Sequence, residues 1–253
     1  MRKNLFVGVL TAIAAASSAH AAGFINGGFD DGTTTGWTVG SGSRAGQNLS
    51  SINAASYLNG TDSRSAVVSP GLDPFMGSLM PNIVYSGTNS YRLQESNVNG
   101  GFVSVISQTV NNYTDANIFF TWMASLEGAH SAEQAAGMVI QLQDLTQGDT
   151  PISRVYSAAP GAVDARFTLS SGGYYYTNAW QIEQLVIDSS RQGHDFRLTV
   201  LATDCGPTGH AGWVYLDGFG AVIPPTSVPE PGSLALAGLA MAGLAAARRR
   251  KQA

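Results

Sequence analysis

The sequence is short of several things that catalytic and nucleic-acid-binding proteins use. It holds one cysteine, Cys205, in 253 residues, so no internal disulfide can brace the fold. A folded body must rest on its apolar core or on a bound metal. Lysine is missing between residues 22 and 229. The thirteen basic residues less Arg2, Lys3, Arg248, Arg249, Arg250 and Lys251 leave seven, all arginine, against sixteen acids once Glu230 is set aside. A body with a net charge of −9 repels a phosphate backbone, which argues against nucleic acid as a partner. No fixed-period repeat is present, which argues against a β-helix or propeller. The G-x-S-x-G, H-E-x-x-H, P-loop and dinucleotide fingerprints are absent. Glycoside hydrolysis needs only two carboxylates at the right separation, and no pair among the acids is singled out by the sequence.

The two ends differ from the middle. Residues 1–21 carry a basic start (Arg2, Lys3), an apolar run from Leu5 to Ala16 and the small-residue exit Ala19-His20-Ala21. This order predicts a secretion signal cleaved before Ala22. At the other end, Gly232 to Ala247 contains only Gly, Ala, Leu, Met and one Ser. As a helix this run spans about 24 Å at 1.5 Å per residue, a little short of a hydrocarbon core of about 30 Å. Val228 to Pro231 can lengthen the span, and Arg248, Arg249 and Arg250 can snorkel and hold the C-terminus on the cytoplasmic side. Pro229 and Pro231 around Glu230 cannot continue a helix, so they keep an extended stretch outside the membrane.

The motif Val228, Pro229, Glu230, Pro231, the marginal span and the terminal arginines together resemble the PEP-CTERM sorting signal of Gram-negative bacteria. The resemblance implies export by signal peptidase and the general secretion machinery, then transient anchoring in the inner membrane by the C-terminal helix. It further implies an exosortase-type membrane protease as partner, and an end point at the cell surface or among extracellular exopolysaccharide. The domain layout is then a signal peptide (1–21), a body (22–222), a Pro-rich linker (223–227) and the sorting signal (228–253).

The body reads as all-β. Phe102 to Val110, Asn117 to Met123, Met138 to Asp144, Trp180 to Asp188, Asp195 to Leu201 and Gly212 to Asp217 are short, partly alternating, and rich in β-branched or aromatic residues. Gly, Asn, Asp and Ser break them, which predicts a sandwich or barrel. Phe24-Ile-Asn-Gly-Gly-Phe-Asp-Asp31 with Gly36-Trp37, and Trp213-Val-Tyr-Leu-Asp-Gly-Phe219, resemble the opening and closing motifs of galactose-binding-like jelly rolls, which include many carbohydrate-binding modules. Gly218 stands where that family usually has a second acid or amide. The resemblance implies a jelly-roll β-sandwich whose first and last strands lie close together. It also implies a structural Ca²⁺ where the ends meet, held by Asp30 or Asp31 with Asp217 and a carbonyl oxygen of Asn26. The competing reading makes Asp30 and Asp31 turn residues beside Gly32.

Thr203 to His210 is the most unusual loop. Cys205 and His210, beside Asp204, are soft metal ligands or a nucleophile–base pair in principle, with His130 and His194 as the other soft candidates. A buried cysteine in a Gly-Pro loop is the simpler expectation. Tyr174, Tyr175 and Tyr176 cannot form one stacking platform, because successive strand residues face opposite sides. The reading that follows is an exported, non-enzymatic carbohydrate-binding or structural surface module. A secreted glycoside hydrolase or other hydrolase on the same scaffold is the alternative.

Overall fold

The computed structural model describes residues 23–44, 46–97, 100–128, 131, 134–206 and 209–220. The expected secretion signal, the linker, the sorting motif Val228–Pro231, the span after it, Arg248 to Arg250 and His130 lie outside those residues. The chain divides into two compact units, Met1–Val222 and Ile223–Ala253, and the description concerns the first.

The strands are β1 (Thr38–Ser43), β2 (Ala66–Val68), β3 (Ser90–Leu93), β4 (Phe102–Tyr113), β5 (Asn117–Glu127), β6 (Gly137–Asp144), β7 (Asp149–Ser157), β8 (Thr168–Leu169), β9 (Tyr174–Tyr176), β10 (Gln181–Val186), β11 (His194–Thr203) and β12 (Gly212–Asp217). Five of them form one sheet in the order β1-β4-β11-β6-β7. The other sheet runs β2-β3-β12-β5-β9-β8, with β10 pairing β5 beside β9. Every pairing is antiparallel. The protein is an all-β jelly-roll sandwich, and its only helical pieces among the described residues are three short 3-10 turns.

Strand alternation explains the layers. In the five-stranded sheet the even positions point inward: Ile106, Val110, Met138, Ile140, Leu142, Tyr156, Phe196, Leu198, Val200 and Ala202 join the main core. Tyr91, Leu93, Ile118, Phe120, Trp122, Ala124, Leu185, Val214 and Leu216 face them from the other sheet. The odd positions are also buried where a loop covers them. The segment 49–58 lies over Val103, Val105, Val139 and Leu201. Met76, Met80 and Ile83 likewise cover Met123, Trp213 and Tyr215 on the outside of the second sheet. Strands buried on both faces lose the clean apolar–polar alternation, which is why the sequence alternates only in part.

The opening motif forms turns, and the first strand, β1, pairs with β4 in the other sheet from β12. The two ends of the body still meet. Phe219 N–H donates to the Gly27 carbonyl at 3.0 Å. A Cβ on Gly27 would stand 2.2 Å from the Phe219 carbonyl oxygen, so only glycine allows this approach. Phe29 takes φ of +56°, a left-handed conformation that costs an ordinary residue about 1–2 kcal/mol. Its ring is fully buried and packs on Tyr91 at 5.2 Å and Trp37 at 5.4 Å. Burial of a phenylalanine side chain contributes about 1.5–3 kcal/mol, enough to hold the strained turn.

Candidate functional site

Three places bring chemistry-bearing side chains together. The first is the junction of the two ends. Asp217, at the end of β12, is fully buried. Its Oδ2 accepts from Tyr85 N at 2.9 Å and Ser86 N at 3.0 Å, and its Oδ1 accepts from Gly218 N at 2.6 Å. Asp30 grips the same loop from the other side, its Oδ1 accepting from Thr88 N at 2.6 Å, Asn89 N at 3.3 Å and the Thr88 hydroxyl at 3.1 Å. Gly87, at φ +70°, is required between them, since a Cβ there would lie 2.3 Å from an Asp30 carboxylate oxygen. The two carboxylates converge on Gly28, whose absent Cβ would be 3.1 Å from Asp30 Oδ2 and 3.6 Å from Asp217 Oδ1. Burial pushes the Asp217 carboxyl up to about 6; the three amides pull it down and the Asp30 charge adds to the rise.

The other two residues expected at that junction are engaged elsewhere. Asp31 Oδ1 accepts from the Asn26 amide, Thr33 N and the Thr33 hydroxyl. The Asn26 carbonyl accepts from Phe29 N and from the Trp37 indole. Asn26 and Asp31 therefore build the opening turn. Among the described residues no three His, Cys, Asp or Glu side chains gather as a metal cluster. Asp30 and Asp217 are a pair of hard oxygen donors, a chemistry suited to a cation of the calcium class that completes its shell with carbonyls and water.

The second place is the Thr203 to His210 loop. His210 Nδ1 lies 3.2 Å from Cys205 Sγ. His194 is remote from them, because the length of β11 separates it from Cys205, and its Nδ1 meets Asp144 Oδ2 at 2.8 Å. Asp204 is bound by Arg64 at 3.0 Å, and burial pushes its carboxyl up to about 7 despite that partner. Arg44 lies beside this loop with no exposed surface, and none of its three guanidinium nitrogens has a hydrogen-bond partner. Burial lowers its pKa, while the charges of Cys205, Asp204 and Tyr57 oppose that effect.

The third place is the outer face of the five-stranded sheet. Register aligns Thr38, Ser107, Thr199, Gln141 and Ser153 in one row across the strands. The adjoining row is Thr109, Arg197 and Gln143. Gln141 fastens the covering segment, accepting from Ala54 N and donating to the Ile52 carbonyl, both at 2.9 Å. Beyond it a cleft of about 360 Å³ is lined by Thr38, Ala55, Leu58, Ser107, Thr109 and Arg197. None of these is an acid. The Gln143 side-chain oxygen in the same row is buried and has no partner. Sequence reasoning did not single out these residues, because the rows exist only once three separate strands are in register.

The tyrosine run packs as alternation requires. Tyr176 and, in part, Tyr174 join the outer cluster with Trp213, while Tyr175 packs on Leu126 and Ala158. Phe29, Trp37 and Phe219 belong to the main core.

Residues 227–251 match the PEP-CTERM protein-sorting motif. No curated protein sequence matches the chain. Solved structures similar to it include carbohydrate-binding modules of β-sandwich fold. TmCBM61 in complex with β-1,4-galactotriose is 14% identical, with 78% of this chain and 94% of that one covered and a TM-score of 0.41. CBM28, specific for non-crystalline cellulose, is 13% identical, with 78% and 93% covered and a TM-score of 0.39. The CBM22-1 xylan-binding domain of Paenibacillus barcinonensis Xyn10C is 17% identical, with 79% and 95% covered and a TM-score of 0.32.

Proposed function

We propose that this chain is an exported glycan-binding module, delivered to the cell envelope or extracellular matrix through its sorting tail, and that its ligand face is the open half of the five-stranded sheet. The observation that carries the reading is the cleft itself, where exposed Thr38 and Thr109 and half-buried Arg197 stand on one sheet face with Gln143 opposite Arg197 in the register, whereas Ser107 and Thr199 are buried against each other and Gln141 is held by the covering segment. Hydroxyls, amides and one guanidinium set on a rigid sheet are what a polyhydroxylated ligand needs, with Ala55 and Leu58 as an apolar wall. The lining of this cleft has no carboxylate, whereas glycoside hydrolysis requires two across the scissile bond. That lining favours binding without turnover in this cleft.

In this reading Asp30 and Asp217 hold a structural Ca²⁺ that closes the sandwich where its ends meet, and exosortase-type processing of the tail decides the final location. Calcium would supply charge neutralisation for two facing carboxylates and take no part in ligand chemistry. A glycan array probed with the full chain tests the proposal. Retention of a defined set of oligosaccharides, lost on changing Thr109 and Gln143 to Ala, is the expected result. Retention of no glycan would overturn it.

A further inference from the structure

Arginine bookkeeping across the body points to the class of glycan. Seven arginines face sixteen acids in residues 22–229, so each has acids enough to pair with. Arg64 pairs with Asp204, Arg154 with Glu183, Arg166 with Asp164, and Arg191 with Asp144 and Asp149. Arg92 donates to the carbonyls of Gln94 and Arg64. Two remain. Arg44 is sealed inside. Arg197 is half-buried on the open face of β11 and lines the cleft, and its guanidinium makes no hydrogen bond or ion pair among the described residues. Asp195, two residues earlier, is turned to another task, accepting from Asn112 N at 2.8 Å.

From this we infer that the cleft takes an acidic glycan, and that Arg197 receives a carboxylate of a uronic-acid-type residue while Thr109 and Gln143 take its neighbouring hydroxyls. The inference rests on the glycan-binding reading above and narrows it. A guanidinium presents a planar fork that matches a carboxylate with two parallel N–H···O bonds, a geometry that a sugar hydroxyl cannot fill. Flanking polar groups fit the same ligand. Thr109 is exposed, and the half-buried Gln143 side chain stands opposite Arg197 in the strand register. The negative charge of the rest of the body does not prevent this. At physiological salt, charges more than about 8 Å away are largely screened, while a contact pair in a half-buried cleft is not. The repulsion instead makes the site selective, since an acidic chain without a residue placed at Arg197 gains nothing to offset it.

The test compares matched ligands on the full chain by calorimetry. One is an α-1,4-linked trigalacturonate, and the other is the neutral trisaccharide obtained by reducing its three carboxyl groups. The acidic ligand should bind at least about tenfold more tightly, a difference that shrinks in 0.5 M salt and is abolished by Arg197→Gln. Arg197 has no partner in the protein to lose, so the variant should melt with the parent. Equal affinity for the two ligands, or an unchanged preference in Arg197→Gln, would overturn the inference and leave the glycan-binding reading standing. If neither trisaccharide nor any glycan of the array is retained, the reading itself fails and the inference with it.

Discussion

Changing Asp217 to Asn should abolish most of the protein's response to calcium and the part of its pH dependence that Asp217 carries. Asp217 is fully buried, and burial raises its carboxyl from 3.8 to about 6. The folded state therefore binds a proton more tightly than the unfolded chain does. For a raised carboxyl the associated stability is present below the unfolded value and lost as pH rises through about 6. At about 1.36 kcal/mol per pH unit, the loss between those values is about 3 kcal/mol. A divalent cation between Asp30 and Asp217 reverses the balance, because it binds the ionised pair and competes with the proton. At a hundredfold excess over its Kd the cation stabilises by about 2.7 kcal/mol, a melting shift of about 5–10 °C for a body of this size. The assay is thermal unfolding of parent, Asp217→Asn and Asp30→Asn at pH 7.5 and pH 5, each with millimolar Ca²⁺ or with chelator. The parent should gain several degrees from Ca²⁺ at pH 7.5 and much less at pH 5, where Asp217 is largely protonated. In chelator its stability relative to Asp217→Asn should fall between pH 5 and pH 7.5. Asp217→Asn should show almost no calcium response at either pH. An equal calcium response in parent and both variants would refute the reasoning, and so would a parent whose stability in chelator tracks that of Asp217→Asn across this range.

Three further outcomes follow from the same physical arguments. Arg44→Met should raise stability by about 1–4 kcal/mol in urea unfolding, because it replaces a sealed guanidinium that makes no hydrogen bond with a flexible apolar side chain; a loss of stability would show that the charges of Asp204 and Cys205 outweigh the cost of burying it. Glu230→Ala, or deletion of residues 232–253, should change the size and compartment of the protein in its native host, as read by fractionation and immunoblotting; processing and location like the parent's would refute the sorting role of the tail. The purified protein should release no reducing sugar or chromogenic product from a broad panel of glycoside and ester substrates, and turnover abolished by a single Asp or Glu substitution would favour a hydrolase.

The fold was readable where local pattern and tertiary role coincide. The apolar and β-branched runs Phe102 to Val110, Asp195 to Leu201 and Gly212 to Asp217 became β4, β11 and β12, the strands at or beside the centre of the two sheets. Central strands are covered on both sides, so their composition alone marks them. Edge strands were less visible. Thr38-Val-Gly-Ser-Gly-Ser43 has little β character of its own, and it is a strand because β4 offers it six register partners. The opening motif was readable as a junction with β12, and the Asp-Asp-Gly signal as a turn, but the left-handed backbone before it was not. The left-handed conformations of Asn26 and Phe29 depend on where the rings of Trp37, Tyr91 and Phe219 end up.

The two candidate sites differ in legibility for the same reason. Asp30 and Asp217 stand in recognisable motifs at either end of the body, so their meeting could be expected, whereas the loop 85–89 that both of them grip carries no signal until its amides are seen pointing inward. The sheet face is harder still. Thr109, Arg197 and Gln143 are far apart in sequence and unremarkable one by one. A slip of one residue between β11 and β6 would turn Arg197 toward the core and bring Phe196 out. That slip is prevented by the interior, where Phe196, Leu198 and Val200 interlock with Leu142 and Ile140 on the hidden face of the same strands. The inner apolar pattern thus sets the register that lines up the outer polar rows. The ligand face is a consequence of core packing, and a core change such as Leu198→Ala should disturb the cleft without touching any residue that lines it.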